Sequence, residues 1–446
     1  MISSCKFPHI LSVTTLLILV AVHSDSSPAA AVPPSSEAYA LLGWKSQLPN
    51  KSRALLSSWN ESSTAGLCSW EGLTCDAWQS VTSLNISHVA INGTLQGLNF
   101  LSLPNLTTIV FINCSLSGGI PSTISNLSKL TTFDLGLNSF SGGFPAFLGY
   151  ITSLQYLSLS DNYFTGTIPG SFTTLTNLTY LNLNANEFSG DLSSAIRLIS
   201  SLPLQNLLLS SNNFTGSIPS SIGELTKLTL LYLGNNMLSG SIPSDIGNLN
   251  SLQQLYLQSN SITGFIPRTI GNLSSLGRLW LLDNHIHGPI PFEIGKLGSL
   301  WQLDLSQNSL NGSIPSTVSN LTGLSFLYLY GNQLSGLIPP DVGNMQSLYT
   351  FQLLSNELTG PIPPTIGNMT SLESIYLSTN RLSGSIPKEM GKLVKLRELV
   401  LADNQLDGSL PVEVNNLTSL TSLQLSNNSF SGNLPSDICK DGVFRN

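Results

Sequence analysis

The chain offers little with which to make or break covalent bonds. Beyond its first thirty residues it retains three histidines, His88, His285 and His287. Two of them fall in Asp283-Asn284-His285-Ile286-His287, a run that could present three metal ligands from one turn. No fourth ligand or supporting pattern accompanies it, so solvent-facing turn residues account for the run and no metal or cofactor is expected. Asp161, Asp283 and Asp403 recur at one position of a long pattern, too far apart to work as a carboxylate pair. A phosphate-cradling glycine loop and the HRD and DFG signatures of kinases are absent. No catalytic residue is nominated. What does recur is aromatic and amide side chains at a fixed interval, the material of non-covalent recognition.

Those side chains have to be placed by something periodic, and self-comparison at a fixed offset supplies it. Leu154 to Pro169 reads LxxLxLxxNxLxGxIP, and the same frame returns with Asn at 138, 162, 186, 212, 236, 260, 284, 308, 332, 356, 380, 404 and 428. From Asn212 onward every step is 24 residues. Val89 and Cys114 stand in the Asn position of two earlier turns, giving fifteen repeats between residues 81 and 439. The LxL stretch alternates with period two, so its leucines enter a core while the residues between them face solvent from a strand. The Asn amide can satisfy backbone groups of its own and the neighbouring coil, which predicts an asparagine ladder. Gly permits a tight bend, and Pro is expected to keep the next segment extended and to rule out a second full ladder of hydrogen bonds there. The remaining IGNLxxL predicts a short helical or 3₁₀ turn on the outer side. Asn186 to Asn212 spans 26 residues and carries Asp191-Leu192-Ser193 in place of x-I-P, so that coil is expected to be irregular. Cys114, in a ladder position, reads as a buried free thiol.

The composition fits this organisation. There are 37 Gly, 24 Pro and 9% charged residues, and a formal net charge of -7 argues against nucleic acid as a partner. Lys6, the apolar run from Leu11 to Val22 and small residues up to Ala31 read as a secretory signal over residues 1–31, cleaved between Ser24 and Ala31. That run is short of the roughly 20 residues a bilayer requires, and no later stretch reaches that length uninterrupted, so no membrane insertion of the mature chain is expected. An oxidising compartment follows, in which Cys68 and Cys75, seven residues apart, read as a structural disulfide.

Three segments of residues 32–80, Ala40-Leu41-Leu42-Gly43-Trp44-Lys45, Leu55-Leu56-Ser57-Ser58-Trp59 and Cys68-Ser69-Trp70-Glu71-Gly72-Leu73-Thr74-Cys75, together with the GxIP repeat, carry a family resemblance. Over residues 36–439 the sequence resembles the extracellular region of plant leucine-rich-repeat receptor-like kinases and receptor-like proteins, most of all the male-discoverer-interacting receptor-like kinase group. The resemblance implies an α/β repeat fold, a right-handed leucine-rich-repeat solenoid with a concave parallel β-sheet, plant-specific GxIP repeats and an N-terminal disulfide cap. Ser36 is read as the N-cap of a helix that turns Leu41, Leu42 and Leu48 onto the first coil. Residues 440–446 show no terminal cap, and the family's second cysteine pair, membrane helix and kinase do not appear in the sequence. The expectation is therefore a truncated relative of a longer receptor, with a naturally secreted short form as the alternative. Cys439 has no evident partner.

Position in the repeat nominates the face that would meet a ligand. Four residues before the ladder Asn stand Tyr232, Tyr256, Trp280, Asp304, Tyr328, Gln352 and Tyr376. Neighbouring columns add Gln254, Arg278 and Phe326, then Gln258, Leu282 and Tyr330, then His285, Glu357 and Arg381. Aromatic rings repeated at about 4.8 Å make a rigid platform for an extended peptide or a sugar, while the bland reading is that they only shield the sheet. Of fifteen N-x-S/T triplets, those at Asn126, Asn272, Asn320, Asn368 and Asn416 lie twelve residues past a ladder position, on the outer side, where glycans would leave the inner face clear. Asn85, Asn113, Asn213 and Asn427 could intrude on that face, and Asn311 is borderline. The implied function is an extracellular ligand-recognition module of a plant cell-surface receptor. It would bind a peptide or protein signal in immunity or development across repeats seven to twelve, with a leucine-rich-repeat co-receptor as a further partner. The protein would lie in the apoplast, or at the plasma membrane in a longer form with a membrane helix. The alternative is a secreted inhibitor of a microbial wall-degrading enzyme, similar to the polygalacturonase-inhibiting proteins.

Overall fold

The computed structural model describes residues 35–61, 66–433 and 435. The signal segment, Cys439 and the tail at 440–446 lie outside them. Fifteen parallel strands, from Val81–Ser87 to Ser422–Gln424, form one sheet in sequence order, with Leu73–Cys75 added antiparallel as a sixteenth strand at its N-terminal edge, and most are three residues long. Each brings a leucine, isoleucine or phenylalanine into register with its neighbour, as Leu255 with Leu279 and Leu303 with Leu327. These side chains and the Ile and Leu of the returning segments form a continuous core along the solenoid. One coil could not bury its own apolar face, so stacking supplies the stability.

Opposite the sheet, most repeats make a five-residue 3₁₀ helix after their proline, such as Arg268–Asn272 and Ser316–Asn320, while the first makes a three-residue one, Phe100–Ser102, after Asn99. These segments are bulkier than the strands, so the sheet takes the inside of the arc. The long repeat differs. Its two extra residues are absorbed by an α-helix, Leu192–Ile199, whose N-cap Asp191 accepts a hydrogen bond from the Ser194 amide at 2.9 Å.

The asparagine ladder has the expected chemistry in full. Asn162 donates to the carbonyls of Leu159 and Ser160 in its own coil and to Leu135 in the coil before, at 2.9–3.2 Å, and accepts from the Phe140 amide at 2.8 Å. Asn260 repeats the set with Leu257, Gln258, Leu233 and Leu238. Cys114 holds its ladder position without an amide. Its thiol is buried against the Ile86 carbonyl at 3.0 Å, and burial pushes its pKa up to about 11.

Two expectations need correction. A second ladder does form along the flank of the solenoid, on the residues between each Asn and its proline. It consists of a six-strand and a seven-strand set of short parallel strands, with single bridges Ser217–Ser239 and Ser241–Thr263 between them. Proline follows most of these strands, though not Gly93–Thr94 or Glu187–Asp191, and does not prevent them, because the donating amides precede it. The N-cap of the first helix, Ser36–Gln47, is Ser35, whose hydroxyl accepts from the Ala38 amide. Buried Glu37 at the start of that helix accepts from the Val81 amide and the Ser80 hydroxyl, and so ties the cap to the first strand of the repeats beside its antiparallel partner Leu73–Cys75. Leu41, Trp44 and Leu48 are buried and Leu42 partly so. Cys68 and Cys75 are disulfide-bonded with Cα atoms 5.7 Å apart, near Trp59 and Trp70, whose rings stack at 5.8 Å.

Candidate functional site

In each repeat the strand turns three columns of side chains onto the inner face, six, four and two residues before the ladder Asn. The residue just before the Asn has a positive φ, as at Ser259 (52°), Asp283 (55°) and Asp403 (56°), and this rotates the chain off the sheet. Everything after the Asn therefore belongs to the flank. Tyr232, Tyr256, Trp280, Asp304, Tyr328, Gln352 and Tyr376 lie on the inner face, with Arg278 and Phe326 on one side and Gln258, Leu282 and Tyr330 on the other. His285 does not join them. It is exposed on the flank, where its amide pairs with the Ile262 carbonyl, and the Glu357–Arg381 ion pair at 3.4 Å shares that flank. A period-two reading carried past the turn had placed these three on the inner face.

The centre of the face is a stack of three rings. Tyr256 lies 4.3 Å from Tyr232 and 4.3 Å from Trp280, with interplanar angles of 13° and 10°. Sandwiched in this way, Tyr256 is only 8% exposed. Hydroxyls tie the stack to the neighbouring column: Tyr232 donates to Gln254 Oε1, and Arg278 Nη1 donates to the Tyr256 hydroxyl at 3.0 Å. The Arg278 guanidinium lies 4.1 Å above the Trp301 ring. Tyr376 makes the equivalent bond to the Glu398 carboxylate. Burial, with the Glu398 contact adding to it, pushes the Tyr376 phenol up to about 12.

Several polar atoms here have no partner. Gln258 Oε1, Arg278 Nε and Trp280 Nε1 are buried without a hydrogen bond. All three come from adjacent repeats and from the inner face, and orphaned polar atoms carry a free-energy cost that something else has to offset. Beside them, Asp304 is 9% exposed and, among the described residues, accepts from the amide and hydroxyl of Ser306 alone. Burial pushes its carboxyl up to about 6. Tyr328, on the next strand, is raised by burial and by the nearby Asp304 charge.

A second stack on the same face escaped the column read from Tyr232 onward. Tyr156 and Tyr180 lie 4.2 Å apart at 6°, six residues before their ladder asparagines. The Tyr156 hydroxyl donates to the Asp134 carboxylate at 3.2 Å, and Asp134 also accepts from the Gly136 amide at 2.9 Å. Scanning all three columns for aromatics on successive repeats would have found it.

Asn126, Asn272, Asn320, Asn368 and Asn416 are exposed, each at the end of a 3₁₀ helix on the outer side. Of the four intruding sequons only Asn85 is on an inner strand. Asn113 and Asn427 sit in turns with positive φ, and Asn213 begins a flank strand. No group of three or more metal-ligating side chains is present among the described residues. No helix among them is long and apolar enough to cross a membrane.

Comparison with known proteins agrees with this architecture. The leucine rich repeat N-terminal domain family matches residues 34–76, and leucine rich repeat families match 105–127, 128–188, 203–262, 299–321, 323–345, 346–406 and 419–440. A leucine-rich-repeat protein of Leptospira interrogans is 32% identical, with 78% of this chain and 86% of that one aligned at a TM-score of 0.64. The chain is a leucine-rich-repeat protein. Within the leucine-rich-repeat proteins it is of the plant receptor-ectodomain type. Receptor-like protein 31 of Arabidopsis thaliana is 41% identical over 122 residues, covering 25% of this chain and 14% of that protein. The Arabidopsis MDIS1-interacting receptor like kinase 2 is 39% identical over 117 residues, covering 26% and 11%. These matches span a small part of each relative's own length. Among solved structures, a TDR receptor aligns with 80% of this chain and 65% of its own at 30% identity and a TM-score of 0.71. The plant peptide hormone receptor RGFR1, in complex with RGF2, aligns with 84% and 66% at 33% identity and a TM-score of 0.65. These leucine-rich-repeat neighbours are receptor ectodomains and not catalytic domains.

Proposed function

We propose that the chain is an extracellular recognition module that binds an extended peptide, or an extended segment of a protein, across the inner face of repeats seven to twelve. One observation carries the reading: the Tyr232–Tyr256–Trp280 stack is pre-ordered on the inner face, with Arg278 and Gln254 tied to its hydroxyls. A rigid aromatic surface offers contact area to a bound segment at little ordering cost to the receptor. The sequons support it, because from repeat seven to repeat fourteen none lies on an inner strand. So does the similarity to RGFR1, which was solved with RGF2. A leucine-rich-repeat co-receptor that contacts the bound ligand belongs to the same reading.

The test begins with linear peptides selected from a random display library on the full secreted chain. Selected peptides are then titrated against a variant carrying Tyr256→Ala, Trp280→Ala and Tyr328→Ala, checked for secretion and circular dichroism. Loss of binding in that variant supports the reading, and undiminished binding sinks it. Inhibition of a microbial polygalacturonase by the triple variant and the parent alike would point to the enzyme-inhibitor alternative.

A further inference from the structure

Asp304 stands where a carboxylate is hard to keep. It is 9% exposed, its Oδ1 accepts from the Ser306 amide at 3.1 Å and from the Ser306 hydroxyl, and no hydrogen bond from the described residues reaches its other oxygen. That other oxygen is not fully buried, so the carboxylate keeps one acceptor open to an incoming counter-charge. The described residues supply none. The two ion pairs among the described residues, Glu357–Arg381 and Glu373–Arg397, are elsewhere and exposed. Arg278, the one cation on the adjacent strand, is committed to the Tyr256 hydroxyl and the Trp301 ring.

The neighbours of Asp304 are specific in kind. Strand register sets Trp280 directly beside it on one side and Tyr328 on the other, in the same column. Two aromatic side chains on strands about 10 Å apart thus flank one carboxylate. Asp134 occupies the same column position in the third repeat and makes a useful contrast. Its register neighbours are Val110 and Ser158, and the Tyr156 hydroxyl and Gly136 amide already meet its oxygens.

We propose that Trp280, Asp304 and Tyr328 form a subsite for a cationic side chain of the bound segment, an arginine guanidinium or a lysine ammonium. The proposal rests on the inner face being the binding face, and it adds the charge of the residue received there. The flanking rings attract the cation and the carboxylate fixes it, an arrangement that gains strength from being desolvated. The groups facing Asp304 are Arg278 and Trp280 from the preceding strand, Gln302 and Ser306 from its own repeat, and Phe326, Tyr328 and Tyr330 from the next. Of these only Arg278 carries a charge near neutrality. Because burial pushes Asp304 up to about 6, the subsite is negatively charged above that pH and neutral below it.

The test uses small probes and the full chain. N-acetyl-arginine amide and its neutral isostere N-acetyl-citrulline amide are compared by saturation-transfer NMR at pH 7.5 and pH 4.5, on the parent, Asp304→Asn and Tyr328→Leu. The expected result is a signal at least fivefold larger for the arginine probe on the parent at pH 7.5, with that preference lost at pH 4.5 and in Asp304→Asn. Tyr328→Leu, which keeps the acid, should weaken the preference about threefold and so covers the case of a poorly folded Asp304 variant. Equal signals for the two probes on the parent at pH 7.5 overturn the proposal, as does a preference that survives Asp304→Asn. Library peptides that depend on Trp280 and Tyr256 but are indifferent to Asp304→Asn would overturn this subsite alone. Peptides indifferent to all of these residues would overturn the inner-face reading with it.

Discussion

Two aromatic stacks share the inner face, and they are built to different ends. Tyr156 and Tyr180, on the fourth and fifth strands, stack as closely as Tyr232, Tyr256 and Trp280 do on the seventh to ninth. The first stack is closed: the Tyr156 hydroxyl ends on Asp134, which is also held by the Gly136 amide. The second is open. Arg278, Trp280 and Gln258 each retain a buried polar atom with no partner, and Asp304 stands beside them with one oxygen unmet. Ring stacking is common to both, and the hydrogen-bond partners around the rings are what distinguish them.

The largest expected effect breaks the comparison most directly. Replacing Tyr256, Trp280 and Tyr328 by Ala should weaken a selected peptide by about 100-fold or more, the order expected for loss of a central aromatic cluster. The pair Tyr156→Ala and Tyr180→Ala should leave it within about twofold. Titration of both variants by calorimetry decides, and equal losses would erase the distinction between the stacks.

Stability should separate single members next. Tyr256→Ala removes a ring that is sandwiched and almost buried, so a loss of about 2–3 kcal/mol is expected, against about 1–2 kcal/mol for the half-buried Tyr180→Ala. Urea unfolding at one pH measures both. An equal cost would mean that the open stack is no better packed than the closed one.

The acids at the two stacks give the third contrast. Burial raises both Asp134 and Asp304, and Asp304 reaches about 6. The folded chain then holds the Asp304 proton more tightly than the unfolded chain, whose value is about 3.9. The contribution of Asp304 to stability is full below that unfolded value and is lost as pH rises through about 6. Asp304→Asn should accordingly stabilise the protein by about 1–3 kcal/mol at pH 7.5 and hardly at all at pH 3.5. The same change at Asp134 should yield less, since its oxygens are already met by donors. Thermal melts across pH 3.5–8 test the pair, and a gain at Asp304 that does not change with pH would refute this account.

The smallest effect is a null one. Asn272, Asn320, Asn368 and Asn416 changed together to Gln should shift peptide binding by less than about twofold, because they lie on the side away from the rings. A larger shift would mean that the ligand reaches the outer surface.

Much of this was legible beforehand, for a physical reason. A side chain that every coil needs, such as Asn260 or Leu255, recurs with the repeat, so its role can be read from spacing alone. The inner columns follow from period two as long as the strand lasts. Where the chain leaves the sheet through a residue of positive φ, such as Asp283, that periodicity stops, which is why His285 was misplaced. The flank ladder was missed because proline was credited with blocking bonds that lie wholly ahead of it. The orphaned atoms of Arg278 and Trp280 were invisible, since whether a polar atom finds a partner depends on rotamers and on the repeat next door.

The ladder asparagines have a direction. Each amide reaches its own coil and the one before, as Asn260 does toward Leu233 and Leu238, and the pattern is the same along the stack. The Leu238 amide therefore waits for a residue made 22 positions later. A nascent chain leaving the ribosome would complete each coil only as the next one emerges, so the solenoid can close in the order of its synthesis, one turn behind the growing end. A pause within a repeat would leave one rung open and everything upstream already sealed.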